Sequence, residues 1–141
     1  MAAASIVVVD DFKAWRLKLR SILEAVPGFS VVAEAGDGLE AIEQTAHLRP
    51  DIVLLDIGMP LLNGIEAARK IQRISANTKI IFLTQEDDGE VRAAALATGA
   101  KAYLLKSRAN TELIAAIDSA LMSVREPQAL DLRPSACLVS G

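Results

Sequence analysis

The run Ile52-Val53-Leu54-Leu55 ends on Asp56, and the reading of these five residues decides the fold. Four consecutive apolar side chains leave no polar face, the pattern of a strand covered on both sides. Working outward, related runs stand at Ile6–Val9, Ser30–Ala33, Ile80–Leu83 and Ala102–Leu105. After each comes a stretch of helical period: Lys13–Val26, Leu39–Leu48, Gly64–Ser75, Gly89–Thr98 and Asn110–Val124. In the first of these, Leu19, Ile22, Leu23 and Val26 recur at three- and four-residue steps and form one apolar face, while Lys13, Arg16, Lys18 and Arg20 favour water. Strand and helix alternate five times, which predicts an α/β domain of (βα)5 type with right-handed crossovers. Its parallel sheet is expected to carry helices on both faces.

Punctuation agrees with this division. Pro27-Gly28 ends the first helix, Asp37 caps the second, and Pro50 closes it. Asn63-Gly64 suits a tight turn into the third helix, and Gly99 suits the residue just past the fourth. After Val124 the period stops. Residues 1–126 are therefore expected to form the one domain, and residues 127–141, with two prolines and no period, a disordered tail or truncated linker.

Composition narrows the function classes. The 141 residues are enough for one domain and too few for two ordinary ones, and 52% hydrophobic with 23% charged residues is a globular balance. Aromatics supply only 4%, so the core is aliphatic. A formal charge of −3 offers no footprint for nucleic-acid phosphates. The single Cys137 excludes a disulfide framework and points to a reducing compartment. Met1–Val9 is apolar, but Asp10 and Asp11 stop it far short of a membrane span, so a cytoplasmic location without membrane contact is the expectation.

In an open parallel α/β sheet, ligands gather at the carboxyl ends of the strands. Asp10-Asp11 follow the first strand, Asp56 the third, Thr84 the fourth and Lys106 the fifth. Three carboxylates brought together repel one another, and a lysine relieves only part of that repulsion. The remainder invites a hard divalent cation such as Mg²⁺, which favours oxygen ligands. An ionised Asp56 needs no general base to attack phosphorus, Lys106 would stabilise charge on the equatorial oxygens, and Thr84 could donate a hydrogen bond to the product. Taken singly, each part also fits a plainer role. An Asp pair caps helices, Asp56 suits an Asx-turn, Thr84 a strand end, and Lys106 a solvated surface charge. Their joint placement at four strand ends is what points to phosphoryl chemistry.

Four segments resemble the receiver domain of bacterial response regulators. V-V-V-D-D (Val7–Asp11) resembles its first strand and acidic pair. L-L-D-I-G-M-P-L-L-N-G-I-E (Leu54–Glu66) resembles its phosphoacceptor segment, and F-L-T (Phe82–Thr84) and A-Y-L-L-K (Ala102–Lys106) its fourth and fifth strands. The similarity runs from about Ser5 to Val124 in the family's order and spacing. It implies a flavodoxin-like fold of strand order 2-1-3-4-5. It also implies a two-component regulatory domain phosphorylated on Asp56 by a histidine kinase or phosphotransfer protein, with Mg²⁺ as cofactor. Asp11 and Asp56 would ligate the metal directly, Gly58 through its backbone carbonyl and Asp10 through water. Thr84 and Tyr103 would form the switch, changing the affinity of the face built from the fourth helix, fifth strand and fifth helix for a downstream protein or a second copy. The wording is nearest to receivers normally joined to a helix-turn-helix output domain. The residues after Glu126 are too few for such a domain, which needs about 50. The expectation is a chain that acts through protein contacts or one cut within a linker.

Two positions depart from the pattern. Gln85 stands where a small residue is usual beside the switch threonine and could narrow access to Asp56, and Ser107 stands where many members have proline. Gly58 and Glu86 fill positions that tune dephosphorylation in the family. Two competing functions are a phosphorylation-independent pseudo-receiver, which Gln85 would suit, and a Mg²⁺-dependent phosphohydrolase. The latter generally wants a second acid two residues beyond its nucleophile, where this chain has Gly58. Turnover of an external substrate is therefore not expected. Of the remaining residues, His47 reads as a solvated helix-end residue and Met59-Pro60 as a loop constraint. Trp15 and Phe12 read as packing or partner residues, Ala93–Ala95 as a close-packing run, and Arg92 as a solubilising charge.

Overall fold

A computed structural model describes residues 3–59, 62–85 and 87–122. The expected tail, Cys137, Val124, Pro60 and Glu86 lie outside the described residues. Five strands, β1 (Ala4–Val9), β2 (Phe29–Ala35), β3 (Ile52–Leu55), β4 (Lys79–Thr84) and β5 (Ala102–Leu105), alternate with α1 (Lys13–Glu24), α2 (Gly38–Leu48), α3 (Gly64–Ile74), α4 (Gly89–Ala97) and α5 (Ala109–Met122). All strand pairings are parallel, in the order β2-β1-β3-β4-β5. The order reverses between β1 and β3, which opens a crevice at their carboxyl ends.

Alternation along the strands builds the two halves of the core. Ile6 and Val8 of β1, Ile52 and Leu54 of β3, and Ile81 and Leu83 of β4 point to one face, where Leu19 and Leu23 of α1 and Leu113 and Ile117 of α5 cover them. Val7, Val9, Val53, Leu55, Ile80 and Phe82 point to the other, under Ala41 of α2, Ala67, Ala68 and Ile71 of α3, and Ala95 of α4. Each fully buried aliphatic side chain contributes roughly 1.5–3 kcal/mol relative to exposure. The unbroken apolar runs of β1 and β3 therefore fix the sheet's centre.

The element ends follow local chemistry. Asp37 accepts from the Glu40 amide and Asn63 from the Glu66 amide, capping α2 and α3. Asp88 caps α4 by accepting from the amides of Glu90 and Val91, a cap not anticipated from the sequence. Gly28 and Gly99 take positive φ just past α1 and α4, as their punctuation implied. α2 closes on Arg49 in the left-handed region before Pro50. α1 stops at Glu24, two residues short of the periodic reading, because Val26 turns back onto the Leu23 carbonyl ahead of Pro27-Gly28. β2 runs to Ala35, beyond the expected Ala33, because Glu34 is carried in the strand by ion pairs to Arg16 and Arg20 of α1. Both arginines, read from the period as favouring water, thus also bridge α1 to β2. Among the described residues no helix is long and apolar enough to cross a membrane.

Candidate functional site

The carboxyl ends of β1, β3, β4 and β5 meet at a cleft of about 380 Å³. Asp11, Phe12, Asp56, Ile57, Gly58, Thr84, Gln85, Asp88, Val91 and Lys106 line it. Asp10 lies beneath, only 1% exposed. Asp10 is held just past the end of β1 because its amide continues the sheet ladder to the Ala35 carbonyl of β2, and Asp56 is held likewise past β3, its amide donating to the Val9 carbonyl. Adjacent strand tips thereby set one oxygen of each of Asp10, Asp11 and Asp56 within 4.8 Å of one another.

The three acids differ in environment. Asp10 accepts from the Phe12 amide through Oδ1 at 2.9 Å and pairs through Oδ2 with the Lys106 ammonium at 2.6 Å. Asp56 is 7% exposed, and its Oδ1 stands 3.8 Å from the same ammonium. Asp11 faces solvent. Burial, reinforced by the neighbouring Asp10 charge, pushes the Asp56 carboxyl up to about 6, with Lys106 opposing and Asp11 adding to the rise. Lys106 thus pairs with two of the three carboxylates, and the cluster carries an excess of negative charge.

That excess, with exclusively oxygen donors in close array, fits a hard divalent cation. Asp11 is the carboxylate exposed to an incoming ion, whereas both oxygens of Asp10 already have partners. Gly58 lines the cleft two residues beyond Asp56. Thr84 ends β4 at the opposite wall, and Gln85 is exposed beside it. Ser107 is exposed in a single 3-10 turn, Lys106–Arg108, that links β5 to α5.

Tyr103 does not line the cleft. Its ring is buried in β5, with the Arg92 guanidinium 4.7 Å from its centre. Arg92 in turn pairs with Asp87 at 2.7 Å, so it packs on the aromatic ring and is more than the solubilising charge the sequence suggested. His47 is exposed in the last turn of α2, and Ala95 alone of the Ala93–Ala95 run is fully buried.

Arg16 escaped the sequence reading. Its Nη1 donates to the Asp10 carbonyl at 2.6 Å while Nε donates to Glu34 at 3.0 Å, tying the acidic loop to β2. The signal available was its position five residues after Asp11, one helical turn into α1, with a carboxylate, Glu34, on the neighbouring strand.

The chain matches the model of the response regulator receiver domain family over residues 6–118. It belongs to that family. The receiver is 39% identical over 115 residues to the response regulator UvrY of Escherichia coli K12, covering 82% of this chain and 53% of UvrY. Among solved structures it resembles a two-component response regulator of the LuxR family from Aurantimonas sp. SI85-9A1, with TM-score 0.82, 36% identity and 86% of each chain covered. It also resembles the response regulator domain of Thermotoga maritima CheB, with TM-score 0.80 and 34% identity, covering 85% of this receiver and 97% of that domain. The receiver spans about half the length of the curated relatives it matches.

Proposed function

We propose that this receiver takes a phosphoryl group on Asp56 from a phosphohistidine donor, a histidine kinase or phosphotransfer protein, with Mg²⁺ held by Asp11, Asp56 and the Gly58 carbonyl. Asp10 would act on the ion through water. A carboxylate oxygen of Asp56 attacks phosphorus as the donor's N–P bond breaks, and the donor ring keeps the electron pair and takes up a proton. Lys106 and Thr84 stabilise the equatorial oxygens from β5 and β4. The metal, when bound, supplies the neutralisation that one lysine leaves incomplete.

The observation that carries this reading is the pairing of an electron-rich Asp56 with a cluster of acid oxygens within 4.8 Å and one buried ammonium. A self-contained phosphohydrolase finds less support. Among the described residues the cleft lining offers one carboxylate beyond the acidic cluster, Asp88, and its Oδ1 is taken by two amides at the start of α4. Thr84 and Tyr103 would pass the change to the α4–β5–α5 face, where a protein partner or a second copy binds.

The test is incubation with acetyl phosphate and MgCl₂, followed by intact mass. One phosphoryl adduct that needs Mg²⁺ and disappears in Asp56→Asn is expected. A parent protein left unmodified under conditions that label another receiver would favour the phosphorylation-independent interaction module instead.

A further inference from the structure

Lys106 has a third neighbour besides the two acids. Its Nζ lies 5.3 Å from the centre of the Trp15 ring, which projects from the first turn of α1, is half-buried, and packs against the core half under α1 and α5. Lys18, one turn on along α1, places its own Nζ 4.9 Å from the same ring. The indole thus sits among cations, and Trp15 is the chain's single tryptophan.

A lysine ammonium on a four-carbon stem has several rotamers, and confining it costs conformational entropy. A carboxylate confines it by a directional bond, and here the nearer bond leads to Asp10. An aromatic face attracts the charge without fixing a direction, and most strongly where water is excluded. The Lys106 side chain is 6% exposed, so its attraction to the indole operates with little screening by solvent.

We infer that Trp15 is a positioning residue for Lys106: its ring face holds the ammonium at the strand tips while leaving it free to pass from Asp10 to an acceptor on Asp56. The role in transfer rests on the phosphoacceptor reading, whereas confinement of Lys106 does not. Trp15 acts through Lys106 and touches no reacting atom.

Two measurements separate these parts. The first is acylation of Lys106 by acetic anhydride, read by peptide mass spectrometry against the exposed Lys101. The second is the rate of Mg²⁺-dependent phosphorylation by acetyl phosphate. Trp15→Leu keeps apolar bulk without a π face, and Trp15→Phe keeps the face. An aromatic–ammonium contact of this kind predicts that Trp15→Leu acylates Lys106 about fivefold faster and phosphorylates about fivefold more slowly, with Trp15→Phe within about twofold of the parent on both. In a Lys106→Met background, Trp15→Leu is expected to slow phosphorylation no further, because the two residues act as a unit. If Trp15→Leu proves unfolded in a thermal melt, Trp15→Met gives the same comparison. Equal Lys106 acylation in the leucine and phenylalanine variants overturns the inference. A parent that shows the acylation contrast but takes no phosphoryl group overturns the phosphoacceptor reading and leaves the confinement of Lys106 standing.

Discussion

The Lys106 ammonium lies 2.6 Å from Asp10 and 3.8 Å from Asp56, so the tight ion pair of this site is made with the acid at its base. Both partners are almost wholly buried, which makes the pair costly to break from one side. The same geometry leaves Asp56 undercompensated. Its carboxyl rises to about 6 even though a cation stands nearby, because burial and Asp10 together outweigh that cation.

Lys106→Met should therefore expose the repulsion the lysine masks. In chelator, this variant is expected to lose about 3–5 kcal/mol of stability, the cost of leaving a buried carboxylate unpaired. Added Mg²⁺ should restore more stability to it than to the parent, since the ion then meets an unneutralised acid set. Urea denaturation with and without MgCl₂ measures both effects. Identical midpoints for parent and variant in chelator would show that the ammonium does not neutralise the buried acids.

Asp56→Asn should stabilise the metal-free protein, in a pH-dependent way. The native carboxyl, at about 6, binds its proton more readily than the unfolded one near 3.8. Between those values the folded state carries more protons, so parent stability falls as pH rises through the window. Asparagine lacks this titration. The variant should be more stable than the parent by roughly 1–2 kcal/mol at pH 7.5, a figure reduced for residual solvent screening, with the gap closing toward pH 4. Paired denaturation curves in chelator across that range provide the check. A gap that widens on acidification would reverse the sign and contradict an elevated Asp56 pKa.

The sequence carried the scaffold further than the linkages within it. The doubly covered strands were legible because apolar runs such as Ile52–Leu55 leave no polar face, strand order came with the family resemblance, and the four strand-end positions were legible because topology brings strand tips together. The contacts of Arg16, Trp15 and Arg92 were not. Each depends on a side-chain rotamer reaching across elements: Arg16 to the Asp10 carbonyl, Trp15 under Lys106, Arg92 onto Tyr103. Helical periodicity reports only which face a residue occupies, and long amphipathic side chains at the edge of an apolar face can go to water or to a neighbour. Asp88 was missed for a related reason, since an Asp-Asp-Gly run offers two possible caps.

Gln85→Ala tests whether the exposed side chain beside Thr84 restricts the cleft. Gln85 lines the opening together with Asp11 and Asp56, and removing its amide widens the approach. Phosphorylation by acetyl phosphate is expected to rise about threefold, a barrier change well under that of a lost catalytic group. Stability should stay within about 0.5 kcal/mol, as is usual for exposed positions. A rate equal to the parent's would show that Gln85 leaves the donor's path clear.

Gly64 and Gly58 flank the same bend and should respond in opposite ways to one added methyl group. A Cβ on Gly64 would overlap the carbonyl of Asp56 and the backbone of Ile57, while the Gly64 amide already donates to the Ile57 carbonyl at 2.8 Å. The start of α3 is thus pressed against the backbone that carries Asp56, with no flexible side chain available to yield. Among the described residues a Cβ on Gly58 meets nothing within 4 Å. Gly64→Ala is expected to cost about 1–3 kcal/mol, the usual range of overpacking, and Gly58→Ala to change stability by about 0.5 kcal/mol or less. Because relief at Gly64 requires moving the peptide after Asp56, that variant should also lose phosphorylation at temperatures where it remains folded. Thermal melts alongside intact-mass phosphorylation separate the two effects. Full phosphorylation of a folded Gly64→Ala protein would show that α3 can shift without carrying Asp56 with it.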